Sequence, residues 1–505
     1  RQKSDYVIVG SGAAGSVIAA RLAEGPGVSV TVLEAGPSDR SITIRMPGAL
    51  GYALSDKTRT WQFDTGPEPN LAGRIMGHER GRVLGGSSSV NGMVFVRGNP
   101  RDFDAWAAQG LPEWSYRHCL PYFKKFERYD RGANAYRGGD GPIGLTTMPA
   151  EGPIFEAFLQ AGQQAGHTLV DDYNAQSQEG VYIHQCNIDK GVRASAGRAY
   201  LHPALKGGQV DLRLDAQVMR IRFDGKRAVS VTYRSKGQDH HIEAEREVIV
   251  CGGAFNSPHI LLLSGVGDPA HLKMHDIPVV ADLPGVGHGL TDHPGAPLSY
   301  RLSRAGLSPG TNMTLLKKGM IGAQWLLARS GIGASNFFET GSMFQINDAS
   351  GYADIQHEFI PLLGDYAGGM VSAQDGFVYS VNLMRPESQG RGDLISADPM
   401  AQPRIVNNYM ATEYDRQTLI AGIKHTDEII HQTGWDAIRG EALVPAFRTL
   451  SDGECFEWLR HNLTTQYHPC SSCRMGVDDM AVVDGAGRVH GVEGLRVIDA
   501  SIMPQ

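Results

Sequence analysis

The chain has 505 residues, of which 41% are hydrophobic, so it can bury a large core and form two or three domains. Its 47 basic and 54 acidic side chains give a net charge of −7 without a long basic run, which argues against nucleic acid as a partner. No apolar window of about 18 residues or more occurs, so no transmembrane segment is predicted.

The first predicted unit, residues 5–36, contains a strand, a glycine-rich turn, a helix and a second strand. Residues 6–9 and 28–33 are short apolar runs, and the turn between them reads GSGAAG over residues 10–15. Apolar residues at helical spacing follow the turn. This order is typical of a parallel βαβ unit that binds a dinucleotide.

Each residue of the turn has a physical role in that interpretation. Gly10 permits a tight turn, Gly12 lets backbone amides approach a pyrophosphate, and Gly15 lets the helix pack closely on the strand. Glu34, at the end of the second strand, is placed to accept hydrogen bonds from an adenosine ribose. The unit predicts an adenine dinucleotide, with NAD and FAD equally allowed, and its alternative is a βαβ unit without a ligand.

The connection over residues 37–99 is loop-rich, and a connection of that length is expected to pack against a ligand. Its centre, residues 81–93, reads GRVLGGSSSVNGM. Adjacent glycines followed by three serines favour a backbone wrapped around a flat or phosphorylated group. The alternative is a flexible linker, but the apolar residues 94–96 indicate burial.

Further along the chain, the apolar periodicity predicts both helices and strands. Helices are predicted within residues 101–128, 154–165 and 260–263, and strands within 210–218, 229–250 and 495–501. Residues 298–447 alternate in the manner of strands, with a helix near 410–433, and predict a separate sheet-plus-helix domain. The strands before residue 251 and after residue 495 are expected to return to the first domain.

The six cysteines are too thinly spread for a disulfide scaffold, so a reducing, cytoplasmic location is predicted. Cys470 and Cys473 form a CxxC pair, which is typical of a redox dithiol or half of a zinc site. No second pair completes a tetrahedral site, so no metal is predicted. The N-terminus leads directly into the first strand, which predicts no signal peptide, and the lack of an initiator Met suggests removal of an upstream segment.

Three further blocks of sequence identify a family. Residues 81–98, GRVLGGSSSVNGMVFVRG, and residues 253–267, GAFNSPHILLLSGVG, match two family signatures, and residues 467–476 with 497–501 match its C-terminal catalytic block. With these motifs the chain resembles the glucose-methanol-choline (GMC) oxidoreductases, which are FAD-dependent alcohol dehydrogenases and oxidases. The similarity is closest to the bacterial choline dehydrogenase-like branch.

The resemblance implies an α/β fold, α+β overall, in which a Rossmann-type FAD-binding domain is interleaved with an antiparallel-sheet substrate domain. The FAD domain is expected to comprise residues 1–146, 190–295 and 463–505. The substrate domain is expected to comprise residues 147–189 and 296–462. No motif predicts an oligomeric state.

The resemblance also implies a set of cofactor contacts. For the ADP half of FAD and its surroundings they are Gly10, Gly12, Ala14, Gly15, Glu34, Ala35, Val218 and Ala254. Along the flavin and its ribityl-pyrophosphate chain they are Trp61, Arg82, Gly86, Asn91, Gly92, Met93, Val94, Asp499 and Ala500. Some family members attach FAD through a His that corresponds to Val90, so non-covalent FAD is predicted here.

His468 matches the family's catalytic histidine, and an imidazole suits the role of the base that removes the alcohol proton. The family's second catalytic residue, an Asn or a His, would lie beyond Gln505, so the last segment is interpreted as truncated. If that partner is truly lacking, His468 acts alone.

The substrate contacts are predicted only as candidates. Gln356 and Glu358 share one strand face, and Glu339 with Trp61 and Tyr467 suggests an acidic, aromatic pocket for a cationic alcohol such as choline. Alternatively, these side chains are solvated acids and ordinary packing aromatics. Aromatic, heteroaromatic, sugar and aliphatic alcohols also stay open, as does the choice between oxygen and another electron acceptor.

Three other functions compete with alcohol oxidation. The first keeps the fold and FAD but changes the net reaction to that of a lyase or decarboxylase. The second is an FAD-binding protein without turnover. An NAD-dependent dehydrogenase is disfavoured, because the loop at residues 81–93 and the C-terminal block have no role in that architecture.

Overall fold

Two seven-stranded sheets organise the residues that the structure describes, 2–311, 313–364 and 374–504. The structure is a computed structural model. Its α-helices are α1 (Ala13–Leu22), α2 (Ile42–Arg45), α3 (Leu50–Ser55), α4 (Pro100–Ala108), α5 (Tyr116–Phe126), α6 (Pro153–Gln164), α7 (His202–Lys206), α8 (Gly253–Leu263), α9 (Pro269–Met274), α10 (Leu315–Ala328), α11 (Glu413–Ile430) and α12 (Asp452–Asn462).

The strands of the first half of the chain are β1 (Lys3–Val9), β2 (Val30–Leu33), β3 (Thr60–Asp64), β4 (Gly77–Gly81), β5 (Glu127–Tyr129), β6 (Ile143–Thr147), β7 (Gly180–Ile183), β8 (Gln185–Cys186), β9 (Ile188–Asp189), β10 (Val192–Arg193), β11 (Val210–Arg213), β12 (Gln217–Asp224), β13 (Arg227–Ser235) and β14 (Gln238–Val250). Those of the second half are β15 (Val266–Gly267), β16 (Ala281–Asp282), β17 (His288–Leu290), β18 (Pro294–Leu302), β19 (Thr340–Phe344), β20 (Ile355–Ile360), β21 (Gly376–Leu383), β22 (Gly390–Asp393), β23 (Arg404–Val406), β24 (Arg439–Ala442), β25 (Thr464–Thr465) and β26 (Leu495–Val497).

The first sheet has the order β11-β2-β1-β14-β13-β12, and β26 also pairs with β14. Strands β11, β2, β1, β14 and β26 run parallel, whereas β12 and β13 are added as antiparallel hairpins. All four residues of β2 are buried, as expected for a parallel strand that is covered on both faces. Val9 pairs with Leu33 and with Val250, so three strands end at the same edge, where ligands of such sheets bind.

The second sheet is antiparallel and has the order β24-β18-β21-β20-β19-β7, with β25 paired to β18. Side chains alternate between its two faces: Ile355 and Phe359 join a core that includes residues of α6 and α11, whereas Gln356 and Glu358 point to the opposite face. Its strands lie in the chain between strands of the first sheet. The predicted interleaving is therefore confirmed, while the domain boundaries themselves stay a prediction.

The predicted helices and strands are confirmed, with two corrections. The strand predicted over residues 495–501 ends at Val497, and Ala500–Ile502 form a short 3-10 helix. The alternating pattern predicted strands around a single helix over residues 298–447, but α10 also lies in that range. It begins after Thr314, whose hydroxyl accepts the backbone N–H of Lys317 as a helix cap. Its apolar side chains are mostly exposed, so their pattern did not indicate a helix with one buried face. Among the described helices, none is long and apolar enough to cross a membrane.

The packing of α1 on β1 gives a first prediction. A Cβ atom on Gly15 would lie 2.0 Å from the Gly10 carbonyl oxygen, and backbone cannot yield as a flexible side chain can. We expect Gly15→Ala to displace α1, lower the bound flavin per chain and reduce the free energy of unfolding by about 1–3 kcal/mol. Flavin absorbance and chemical denaturation measure both effects.

Gly453 in α12 provides the matched control, because a Cβ atom there meets nothing within 4 Å. Gly453→Ala should leave flavin content unchanged and should not destabilise the protein. Wild-type flavin content and stability in Gly15→Ala would contradict the close packing of α1.

Candidate active site

A cleft of about 900 Å³ opens at the carboxyl ends of β1, β2 and β14. Its volume is near the upper end of the range of roughly 300–1,000 Å³ typical of ligand pockets. The predicted cofactor residues that line it are Gly10, Gly12, Ala14, Glu34, Ala35, Trp61, Gly86, Val218, Ala254, Asp499 and Ala500. The structure therefore brings together residues from the first turn, the 81–93 loop, β12, α8 and the C-terminal strand.

Bare backbone forms the wall of the cleft beside α1. Gly86 has φ +55°, and a Cβ atom there would lie 2.6 Å from the Cα atom of Gly12. Gly10 has φ +97°, and its Cβ atom would lie 2.5 Å from the carbonyl oxygen of Cys251. Only glycine allows these approaches. The first N–H groups of α1 lack helical acceptors, so this wall fits the pyrophosphate of a dinucleotide.

Glu34 ties the glycine-rich turn to the end of β2. Its carboxylate accepts the Ser11 backbone N–H at 3.0 Å, the Ser11 hydroxyl at 2.7 Å and the Gly36 N–H at 2.9 Å. Burial raises the pKa of Glu34, and these hydrogen bonds act in the opposite direction. The carboxylate also lines the cleft, and its predicted ribose contact stays a prediction.

The 81–94 segment is held by cationic side chains. The Arg82 guanidinium lies 4.9 Å from the centre of the Trp61 ring. Arg193, which is buried, donates to the backbone oxygen of Asn91 at 2.6 Å and to its side-chain oxygen at 2.9 Å. Arg193 was not predicted from the sequence, because nothing in the sequence places it against residues about a hundred positions earlier.

The end of this segment packs against β8 and against the loop that precedes β19. Met93 is buried with φ +65°, and its carbonyl oxygen accepts the Asn187 N–H at 2.7 Å. The Gly92 carbonyl accepts the Asn336 amide at 2.7 Å, and Val94 forms a bridge with Cys186. A non-glycine residue at positive φ is strained and is retained where surrounding contacts fix it.

His468 lies beside a second histidine and a buried aspartate. Its Nδ1 atom is 3.2 Å from Nδ1 of His293, and its backbone N–H donates to Asp292 at 2.7 Å. The Asp292 carboxylate also accepts the Thr465 hydroxyl at 2.6 Å and the Tyr409 hydroxyl. Asp292 thus fixes the backbone that carries His468.

The electrostatics of this group favour a neutral His468. Burial lowers the pKa of His468 to about 4, and the neighbouring His293 adds to that effect while Asp292 opposes it. Burial acts to raise the pKa of Asp292, but His78 and the hydroxyl hydrogen bonds hold it below its ordinary value. An anionic Asp292 and a neutral imidazole therefore coexist near pH 7. His468 is nevertheless an exposed residue, so the protein atoms packed around it leave it open to solvent.

Asp292, His293 and Arg80 were not predicted from the sequence. Arg80 lines the cleft and donates to the Tyr467 carbonyl oxygen at 2.6 Å, which connects the cleft to the residue before His468. Asp292 and His293 are adjacent in the sequence directly before β18. They could have been proposed as site residues, because neighbouring titratable groups that perturb each other's pKa often lie at functional sites.

The substrate candidates lie in different environments. Glu358 is a half-buried residue of β20, and burial raises its pKa to about 7. Glu339 is instead engaged within the protein, since its two oxygens accept the Ala150 N–H at 2.8 Å and the Ser335 hydroxyl at 2.5 Å. Gln356 lies on the same face of β20 as Glu358.

Tyr467, the remaining substrate candidate, lies next to His468 in the chain. It has φ +62°, and its ring meets the His78 ring edge-on, with 6.1 Å between the ring centres.

The CxxC pair does not carry reactive thiolates. Both Cys470 and Cys473 are free thiols. Burial raises the pKa of Cys470 to about 11, and it raises the pKa of Cys473 far above the usual range. Within the described ranges, no group of three His, Cys, Asp or Glu residues is arranged to hold a metal ion.

Comparisons with known proteins agree with this geometry. Residues 4–295 and 386–505 match the two family models described as GMC oxidoreductase. The chain is 45% identical to the oxygen-dependent choline dehydrogenase of Chromohalobacter salexigens, with 99% of this chain and 90% of the relative covered. It is also 45% identical to that of Pseudomonas aeruginosa, with 100% and 91% covered.

Solved structures show the same fold. Formate oxidase of Aspergillus oryzae RIB40 superposes with a TM-score of 0.92 at 26% identity, covering 100% of this chain and 94% of that one. Pyridoxine 4-oxidase from Mesorbium loti has a TM-score of 0.88 at 26% identity, with 99% and 95% covered.

The fold, the cleft and these matches define a flavoprotein oxidoreductase that binds FAD and oxidises the CH–OH group of an alcohol. The chain belongs to the GMC oxidoreductase family. The family and function predicted from the sequence are thereby confirmed, and the lyase, decarboxylase and non-catalytic alternatives are not favoured.

The hydrogen bonds of Asp292 give a second prediction. Asp292→Asn removes the charge beside His468 and replaces one acceptor oxygen by an amide donor. We expect anaerobic flavin reduction by the alcohol to slow by about 10- to 100-fold with little change in substrate affinity, because His468 loses its orientation. Stopped-flow absorbance over a range of substrate concentrations separates the two parameters.

Asp393→Asn is the control, because Asp393 is a buried carboxylate that pairs with Arg391 and Arg404 instead. It should lower thermal stability but leave the rate of flavin reduction near that of the wild type. Equal rates in wild type and Asp292→Asn would refute the orienting role of Asp292.

Proposed function

We propose that this enzyme oxidises a choline-type alcohol, with His468 as the general base and Glu358 as the counter-ion of the quaternary ammonium group. The observation that carries the proposal is the neutral imidazole of His468, held by Asp292 at one end of a polar sheet face that also bears Glu358. Relatives at 45% identity that are named choline dehydrogenase support the choice of substrate class.

The residues present fit FAD, and several of them would hold it. Gly10, Gly12 and Gly86 leave backbone free for the pyrophosphate, and Glu34 lies at the end of β2 for the adenosine. Bound FAD supplies the acceptor for the hydride of the alcohol carbon. Val90 is buried and has no nucleophilic atom, which supports non-covalent attachment.

In this proposal His468 is the base that accepts the hydroxyl proton of the alcohol. When His468 donates its Nδ1–H to Nδ1 of His293, its Nε2 atom carries a lone pair and can accept the hydroxyl proton. The low pKa of His468 keeps that lone pair available across the neutral range. Burial and His293 disfavour the imidazolium that results, and the nearby anionic Asp292 offsets part of that cost.

His468→Ala tests the assignment. Loss of a general base typically costs 10²- to 10⁴-fold, so we expect anaerobic flavin reduction to slow by about that factor while the protein still binds FAD. His461→Ala on the exposed side of α12 is the control and should reduce flavin at the wild-type rate. Unchanged reduction in His468→Ala would refute the role.

The geometry of the second sheet connects Glu358 to this site. Glu358 pairs with Ser380 across β20 and β21, and the Ser380 hydroxyl donates to the Asn382 side-chain oxygen at 2.8 Å. A Cβ atom on Gly295 would lie 2.6 Å from that Asn382 oxygen and 2.1 Å from Nε2 of Gln466. One polar face of the sheet therefore leads from Glu358 to the residues just before His468.

If the Glu358 carboxylate binds the quaternary ammonium group of choline, binding of choline should depend on pH. Because the pKa of Glu358 is about 7, its charge appears as the pH rises through 7. We expect kcat/KM for choline to increase between pH 6 and pH 8 and then level off, by a factor of about 10 to 100. The uncharged isostere 3,3-dimethylbutan-1-ol should not show this increase.

Variants of the two candidate acids distinguish their roles. Glu358→Gln should flatten the pH profile and reduce the preference for choline over the isostere, whereas Glu339→Gln should retain both, because the Glu339 oxygens are engaged within the protein. A choline preference that persists in Glu358→Gln and disappears in Glu339→Gln would assign the cation to Glu339 instead.

The electron acceptor and the location complete the proposal. Oxygen is the proposed acceptor, supported by the relatives named oxygen-dependent, with another acceptor as the alternative. A cytoplasmic location stays a prediction.

A further inference from the structure

Helix α10 presents a continuous apolar surface to solvent. Leu315 and Leu327 are each 89% exposed, and Leu316, Met320 and Leu326 are also exposed. Isolated exposed leucines are normal, but five large apolar side chains on one helix of 14 residues are not. We call these five residues the α10 apolar face.

These side chains lie on the same side of the helix. At about 100° per residue, the five positions span roughly 140° of the circumference. The opposite side is fixed by Trp325, which is buried and donates its indole N–H to the Gly191 carbonyl oxygen at 2.7 Å. Gly333 allows this packing, since a Cβ atom there would lie 2.9 Å from Cβ of Trp325. The anchoring of Trp325 therefore directs the α10 apolar face outward.

Basic residues occur in α10 and on either side of it in the chain, although the whole chain carries a net charge of −7. Residues 302–338 include Arg304, Lys317, Lys318 and Arg329 and contain no Asp or Glu. Lys318 donates to the Tyr52 hydroxyl at 3.2 Å, which places an exposed aromatic ring beside the helix.

Further cations lie near the end of α10. Arg45 and Arg329 both depress the pKa of Arg198 by repulsion, in addition to the larger effect of its burial, so the three guanidinium groups are near one another. Asp189 and Asp39 act on Arg198 in the opposite direction. Cationic groups thus continue onto the adjoining segments, where Asp189 and Asp39 balance part of their charge.

We propose that α10 docks the enzyme on an anionic lipid bilayer. In this arrangement the leucines and Met320 enter the boundary between headgroups and acyl chains, and Lys317 and Lys318 extend to the anionic headgroups. An apolar face with flanking lysines is the pattern of a helix that lies in the plane of the interface. Docking of this kind needs no membrane-spanning helix.

A second copy of the chain fits this face less well. In a two-fold interface through α10, the same lysines of both copies would approach each other. Residues 302–338 provide no acidic side chain to offset that repulsion. The charge pattern therefore favours a negatively charged lipid surface.

Vesicle flotation with the FAD-loaded enzyme tests the proposal. The vesicles contain phosphatidylglycerol and phosphatidylcholine in one arm and phosphatidylcholine alone in the other. We expect the wild type to float with the anionic vesicles, to float much less with the neutral ones, and to be released by salt. The variant Leu316→Glu/Leu327→Glu should float at least 10-fold less, with unchanged alcohol oxidation in solution.

Met274→Glu is the matched control, because Met274 is a 72% exposed apolar residue at the end of α9, and it should float like the wild type. If the double glutamate variant loses its flavin or melts early, Leu315→Ser/Leu326→Ser replaces it. Three results would overturn the proposal: no flotation of the wild type, equal flotation of all variants, or a concentration-dependent dimer in sedimentation that the α10 variants dissociate.

Discussion

The active site depends on the contact between two stretches of bare backbone. Gly86 approaches the Cα atom of Gly12 so closely that a Cβ atom would overlap it, and the Gly85 N–H donates to the Ser11 carbonyl oxygen at 2.9 Å. This contact joins the first βαβ unit to the loop that follows it. Because the contact is made by backbone, it forms a narrow, polar wall where a dinucleotide can lie along the sheet edge.

The second sheet completes the site through one buried carboxylate. Asp292 lies just before β18 and accepts hydrogen bonds from Thr465, Tyr409 and the backbone of His468. A buried carboxylate with several donors holds its partners in one arrangement, because each unmade hydrogen bond would be costly. The position of His468 relative to the cleft is therefore set by the sheet, although His468 itself lies in a loop.

Sequence patterns predicted those parts of the molecule that are local in the chain. Gly10, Gly12 and Glu34 fall within one βαβ unit, so their spacing was sufficient to predict their positions at the cleft. His293 lies 175 residues before His468, and their contact depends on sheet pairing that periodicity does not reveal. The α10 apolar face was missed for another reason: amphipathic patterns are interpreted as packing against a core, and here the apolar side faces solvent.

Flavin reduction by isotopically labelled alcohol tests the central claim, alcohol oxidation at this cleft. The purified enzyme is mixed without oxygen with choline or with choline deuterated at the hydroxyl-bearing carbon, and the flavin absorbance is followed. The account predicts that the absorbance falls with both substrates and more slowly with the deuterated one, because the C–H bond breaks as the flavin is reduced. Flavin that stays oxidised with choline and with every other alcohol class would contradict it.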